Sequence, residues 1–156
     1  MNIDYFAQRM SGNAAAVKQM IEGARHKAKD LGFEPIVKIK AFAAGGVDPA
    51  YMGLGPVPAI RKVLARTGMG IGDFDMIELN EAFAAQAIGC MRELNIPTDK
   101  PNEVGSGISL GHPVGCTGAR QVVDMIHQLH RRGGSVGVTS RCVGGGIGSG
   151  EVLALP

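Results

Sequence analysis

The chain has no tryptophan, two tyrosines and five phenylalanines in 156 residues, so its core must be built from aliphatic side chains. Cysteine is also scarce: Cys90, Cys116 and Cys142 are the three, widely spaced and without a C-x-x-C pair. That argues against a disulfide framework and against structural zinc, and for a reducing compartment. No uninterrupted apolar run is long enough to span a bilayer. The formal net charge of +2 is too small to point to nucleic acid or an anionic membrane surface. Arg131 and Arg132, the one obvious basic pair, fall at a predicted helix end, where cations complement the dipole. The opening MNIDYFAQRM holds an acid and no long apolar core, unlike a signal peptide, and LALP is not a peroxisomal tripeptide. The expectation is a soluble cytoplasmic protein of one domain.

Glycine is what the chain has in quantity. Its 24 glycines cluster in a few tight stretches, which reads as turns and close backbone approaches and not as a disordered tract. Between them the pattern alternates. Ala14 to Leu31 has helical spacing and ends at Gly32. Pro35 to Gly46 alternates Ile36, Val37, Ile39 and Phe42 with lysines, as a strand does. Pro56 and Pro58 open a helix with Val57, Ile60, Val63 and Leu64 on its inner face and Arg61, Lys62 and Arg66 outside. Asp75 to Leu79 is a short strand. Glu81 to Arg92 is apolar nearly all round, which predicts a helix buried on all sides. His112 to His130 predicts a long helix with Val122, Val123, Ile126 and Leu129 inward. SVGVTS is a strand, GGGIGSG a turn and EVLAL a last strand. Strands alternating with helices, closed by a hairpin, predict an α/β sandwich with a mixed sheet.

Three stretches carry chemistry. In GSGISLGHP, Gly105, Gly107 and Gly111 precede a helix, as in a dinucleotide site. The residues before them hold two prolines and three charges, however, where such a site needs a strand. GGGIGSG leads into a strand and lacks a phosphate loop's Gly-Lys-Ser/Thr. His112 falls at or just before a helix's first turn, with Pro113 suited to the first helical position. There the dipole favours a neutral ring able to take a proton, or the histidine merely caps the helix. Cys142 sits between a strand and a glycine turn, either at a sheet edge beside free N–H groups or as a small buried hydrophobe. Cys90 fits buried packing. Cys116, in the first turn of a helix, is also read as packing, since no base adjoins it. Asn80 and Glu81, where strand meets helix, can cap that helix or hold a water or substrate oxygen.

Taken together these motifs resemble a family. NEAFA (Asn80 to Ala84), GHP (Gly111 to Pro113) and CVGGG (Cys142 to Gly146) stand in the order and spacing of thiolases. MGLGPVPAIRKVL (Met52 to Leu64) is similar too, and GHPVGCTGARQVV resembles the degradative 3-ketoacyl-CoA or acetoacetyl-CoA thiolases. The resemblance divides the chain into a non-matching segment, residues 1–10, and a thiolase C-terminal domain, residues 11–156. It implies a layered α/β half with a mixed five-stranded sheet and helices on both faces. It implies coenzyme A thioesters as substrates, with no metal and no separate cofactor.

The resemblance also implies roles. His112 would deprotonate a nucleophilic cysteine and help line an oxyanion hole, where Asn80 fixes a water. Cys142 would be the second cysteine, an acid/base. Gly144 would lend its N–H to another oxyanion hole. Met52, Ala82 and Phe83 would touch the pantetheine arm. Thioester cleavage and Claisen condensation both develop charge on a carbonyl oxygen and need fixed donors and a matched proton carrier. The family's acyl-accepting cysteine, however, lies in the other half, and neither Cys90 nor Cys116 occupies its motif. The implied partner is a separate chain carrying that N-terminal half. The alternatives are an inactive truncated domain or an acyl-CoA or lipid binder. An unpaired half is expected to expose apolar helical surface and to self-associate.

Overall fold

The computed structural model describes residues 14–156. The expectations for residues 1–10 and for Ser11 as the start of the similarity lie outside the described residues.

Helix α1 (Ala14–Asp30) follows the predicted helical spacing and ends at Gly32, whose φ of +73° suits a glycine. Strand β1 (Lys38–Gly46) comes next, then a 3-10 turn (Pro49–Leu54) and helix α2 (Pro56–Thr67). A second 3-10 turn (Ile71–Asp73) leads to strand β2 (Met76–Leu79), helix α3 (Ala84–Leu94) and the short helix α4 (Gly107–Leu110). Helix α5 (Thr117–Arg132) precedes the hairpin of β3 (Val136–Val143) and β4 (Ile147–Ala154).

The sheet is mixed, in the order β1-β4-β3-β2. β4 is antiparallel to both β1 and β3, and β2 is parallel to β3. Four strands are described where five were expected. Among the described residues no further segment pairs into the sheet: those before β1 form α1 and the turn after it, and those between β2 and β3 form helices, turns and a single bridge from Pro101 to Ile77.

Helices cover both faces. Ile60 and Val63 of α2 and Cys90 and Leu94 of α3 pack with Leu79, Val138 and Val152. On the other face Met125 and Leu129 of α5 pack with Met76 and Leu153. β1 buries its small residues and not its large ones. Ala41 and Ala43 are buried while Ile39 and Phe42 are exposed. The small residues let α2 lie close, and a Cβ on Gly45 would strike the Pro58–Ala59 backbone. At the outer edge of β1, Lys62 donates to the Ala44 carbonyl at 2.9 Å and Arg66 donates to that of Phe42.

Three further expectations change. α3 is buried on one face only, through Gln86, Ala87, Cys90 and Leu94, whereas Phe83 and Ile88 face solvent. The inward stripe of α5 is Thr117, Gln121, Met125 and Leu129, with Val123 exposed. Gln121 is tolerated there because the sheet offers it partners: its amide donates to the Ser140 carbonyl at 3.0 Å and to the Glu78 carbonyl at 3.5 Å. Arg141 in turn donates to Gln121 at 3.2 Å and pairs with Glu151. Finally, β4 begins at Ile147, inside the stretch read as a turn, because pairing with β3 continues through Cys142–Gly148. Only Gly144–Gly146 remain as the turn, with Gly145 and Gly146 at φ of +75° and +81°.

Gly148 is where the sheet meets the start of α2. A Cβ built there would overlap the Gly55 backbone, which no side-chain rotation can relieve. Gly148→Ala is expected to destabilise the chain by about 1–3 kcal/mol. In urea unfolding this should lower the midpoint with the slope unchanged.

Candidate functional site

The C-terminal ends of β2 and β3 form a rim. The parallel pairing stops at Leu79–Ser140, and the Asn80 N–H still donates to the Ser140 carbonyl at 2.8 Å. Across β2 the last pairing is made by Asn102, whose φ of +58° an asparagine tolerates. Its side-chain amide accepts from Leu79 N–H at 2.9 Å and donates to Leu79 C=O at 2.8 Å, as a neighbouring strand would. Asn102 also donates to Glu81 at 3.1 Å, and Glu81 accepts from the Ile108 N–H at 3.2 Å. The two loops flanking the rim are tied to it in this way.

Asn80 is completely buried at this rim. It does not cap α3, which begins at Ala84; there the Gln86 side chain accepts from the Ala82 and Phe83 N–H groups. The Asn80 amide nitrogen lies 3.4 Å from His112 Nε2, and its oxygen has no hydrogen-bond partner among the described residues.

His112 stands on a turn that precedes α5, not in the helix's first turn. The Pro113 carbonyl accepts from the N–H groups of Cys116 and Thr117, so the chain begins to coil before the helix proper. The imidazole is oriented by Thr117, which is buried. Thr117 Oγ1 donates to Pro113 C=O at 3.1 Å and lies 2.7 Å from His112 Nδ1. With its one proton given to Pro113, the hydroxyl accepts from Nδ1–H, and Nε2 keeps its lone pair facing Asn80. Thr117 went unremarked in the sequence because a threonine five residues after a histidine fits no helical spacing.

Cys142 lies on β3, an interior strand and not a sheet edge. It extends two residues past Ser140, the last partner of β2, so on that side it reaches the rim uncovered. Burial raises its pKa above the usual 9.0, opposed by a backbone hydrogen bond. Cys90 behaves as the buried hydrophobe expected. Its Sγ donates to Gly53 C=O at 3.3 Å, and burial pushes its pKa up to about 11. Cys116, read as packing, is exposed.

The remaining residues border the same end of the sheet without entering the Asn80–His112 contact. Gly144 is exposed in the β3–β4 turn with open space around it. Met52 lies on the 3-10 turn beside Gly53, and Ala82 and Phe83 join β2 to α3. Phe83 is 70% exposed. A cleft of about 550 Å³ lies elsewhere, between α1 and Phe33–Pro35, and holds none of these residues. Among the described residues no cluster of histidine, cysteine and carboxylate could hold a metal ion. None of their helices is long and apolar enough to cross a membrane.

The α/β architecture is that of solved thiolases. An acetyl-CoA acetyltransferase from Bacillus anthracis superposes with a TM-score of 0.81 at 48% identity, over 84% of this chain and 33% of its own. Human mitochondrial 3-ketoacyl-CoA thiolase in complex with CoA gives 0.81 at 40% identity, with the same coverage of 84% and 33%. The family model for the thiolase C-terminal domain matches residues 33–155, and the chain belongs to the thiolase family. A 3-ketoacyl-CoA thiolase of Bacillus subtilis is 46% identical over 96% of this chain. The chain spans 37% of that relative's length.

Thr117→Val removes the hydroxyl at nearly constant volume. Imidazole ¹⁵N shifts are expected to show His112 losing its Nδ1–H tautomer, and stability is expected to fall by about 1–3 kcal/mol. Unchanged shifts would mean that Thr117 does not set the ring.

Proposed function

We propose that this chain is the C-terminal part of a thiolase-type acyltransferase acting on coenzyme A thioesters. It supplies the base, the amide and the second thiol to a nucleophilic cysteine carried on a separate segment. The observation that carries this reading is the His112–Asn80 pair: an imidazole held by Thr117 with its Nε2 lone pair beside a buried amide. Such a ring can take the proton of an incoming thiol. Once protonated, Nε2–H becomes a donor to the oxygen of the attacked thioester, with Asn80 beside it. Cys142, a thiol at the same end of the sheet, would be the acid/base that moves a proton to or from the incoming thiol or acyl carbon. Gly144 offers its N–H at an open turn, and Met52, Ala82 and Phe83 provide the surface for the pantetheine arm.

The exposed apolar side chains support a companion. Phe83 and Ile88 at the start of α3, and Ile108, Leu110 and Val114 on the segment that carries His112, are exposed. Exposed apolar side chains in such number are what an interaction surface would use. The companion half would cover them, and without one the chain would self-associate. The domain is read as residues 11–156, and the three free cysteines fit a reducing compartment, the cytoplasm.

The test is acetoacetyl-CoA thiolysis. The purified chain alone is expected to be inactive, and co-expression with the N-terminal portion of the Bacillus subtilis relative is expected to restore turnover. His112→Ala and Cys142→Ala should then each cost roughly a thousandfold or more in kcat. Turnover by the chain alone, lost in Cys142→Ala, would overturn this division of labour. Saturable CoA binding with no turnover in any combination would favour a binding module.

A further inference from the structure

We propose that Glu78, acting with Arg120 through Ser106, is a positioning residue for His112. The three, with Glu78 and Ser106 buried and Arg120 nearly so, form a bracket that holds the His112 turn against Asn80.

Glu78 lies two residues before Asn80 on β2, so the two side chains leave the same face of the strand. The Glu78 side chain is 7% exposed and its Oε1 lies 2.8 Å from Arg120 Nη1. Arg120 projects from α5, one turn beyond Thr117. Its Nη1 also meets Asp124 at 2.7 Å, and its Nη2 donates to Ser106 Oγ at 3.4 Å. Ser106 is completely buried. It begins α4, and its carbonyl accepts from Leu110 N–H at 2.8 Å. Gly111, at φ of +92°, then swings the chain to His112. On the other side, Gly107 presses on the rim: a Cβ there would stand 2.5 Å from the Glu81 carbonyl oxygen and 3.1 Å from Asn80 Oδ1. Ser106 and Gly107 are therefore wedged between the Glu78–Arg120 pair and the amide that His112 faces.

The pair is poorly explained as a device for stability. One guanidinium serves two carboxylates, and Arg120 Nε is buried with no hydrogen-bond partner among the described residues. Burying charges in this way costs more than an apolar contact of the same volume. The groups facing Glu78 are Arg120 and Asp124 from α5 and Ser106 from the loop. Burial pushes the carboxyl up to about 7, with Asp124 adding to the rise and Arg120 and Ser106 opposing it. What the pair does achieve is to join the strand that carries Asn80, the helix that carries Thr117 and the loop that carries His112.

This inference rests on the reading of His112 as the base for its functional meaning, but its test does not need turnover. In the ¹⁵N-labelled chain, Glu78→Gln and Ser106→Ala are each expected to shift the His112 imidazole nitrogens toward a mixture of tautomers. The signals of the exposed His127 and His130 should stay in place. Ser106→Ala leaves the charged pair intact, so it carries the test if Glu78→Gln fails to fold. In the reconstituted enzyme, both variants should lower kcat about ten- to a hundredfold with KM little changed. His112 shifts in Ser106→Ala identical to the wild type would overturn the proposal, even where the enzyme proves active. A shifted His112 in a chain that no companion activates would uphold it, and only the thiolase reading would fall.

Discussion

The parallel pairing of β2 with β3 runs from Met76–Gly137 to Leu79–Ser140 and then stops, while β3 continues to Val143. Everything at the rim follows from that unequal ending. Asn80 is delivered into the interior one residue past the ladder, held by its own N–H on Ser140 and flanked by the Asn102 clamp on Leu79. Cys142 is delivered two residues past the same point on the neighbouring strand. Because the two strands run parallel, both residues lie at the same end of the sheet. In an antiparallel arrangement they would emerge at opposite ends.

Around this rim the chain invests in polar interactions that a domain built only for stability would avoid. Thr117, Gln121, Ser106, Glu78 and Thr139 are all buried. Gln121 and the Glu78–Arg120 pair tie α5 to the sheet, Ser106 ties its loop to α5, Thr117 ties α5 to the His112 loop, and Thr139 joins β3 to Glu151 of β4. The apolar clusters set the layers, and these polar contacts set the angles and depths at which the layers meet. Bonds of that kind are directional, where apolar packing is not.

The helix and strand segments were legible in the sequence because period and glycine punctuation agree over most of the chain. The faces were less legible. The alternation of β1 did not say which face is buried: the small Ala41 and Ala43 are, and the larger Phe42 and Ile39 are not, since hydrophobicity does not record how near a neighbouring helix comes. Val123 was expected on the inward face of α5 and is exposed, while Gln121, which that face omitted, is buried. The deciding partners, the Ser140 and Glu78 carbonyls, are distant in sequence. His112, Asn80 and Cys142 stood out as short motifs beside glycine and proline. The groups that hold them, Thr117, Ser106 and Arg120, did not, because nothing local distinguishes a threonine or arginine that will meet a particular atom. The fifth strand was expected from the family resemblance, with no strand-like stretch of this chain assigned to it.

The strand order has a consequence for how the chain reaches this state. β4, last of the four strands in sequence, lies between β1 and β3. Lys38 finds its partner in Ala154, so β1 has no neighbour until almost the whole domain has been synthesised. Pairs that far apart are slow to close, and the waiting strand is exposed to other chains in the meantime. The β3–β4 hairpin, closed locally by Gly144–Gly146, is the natural nucleus on which β1 can dock. A nascent domain of this topology spends most of its emergence from the ribosome without a sheet, and its exposure to proteases and chaperones ends only with the final strand.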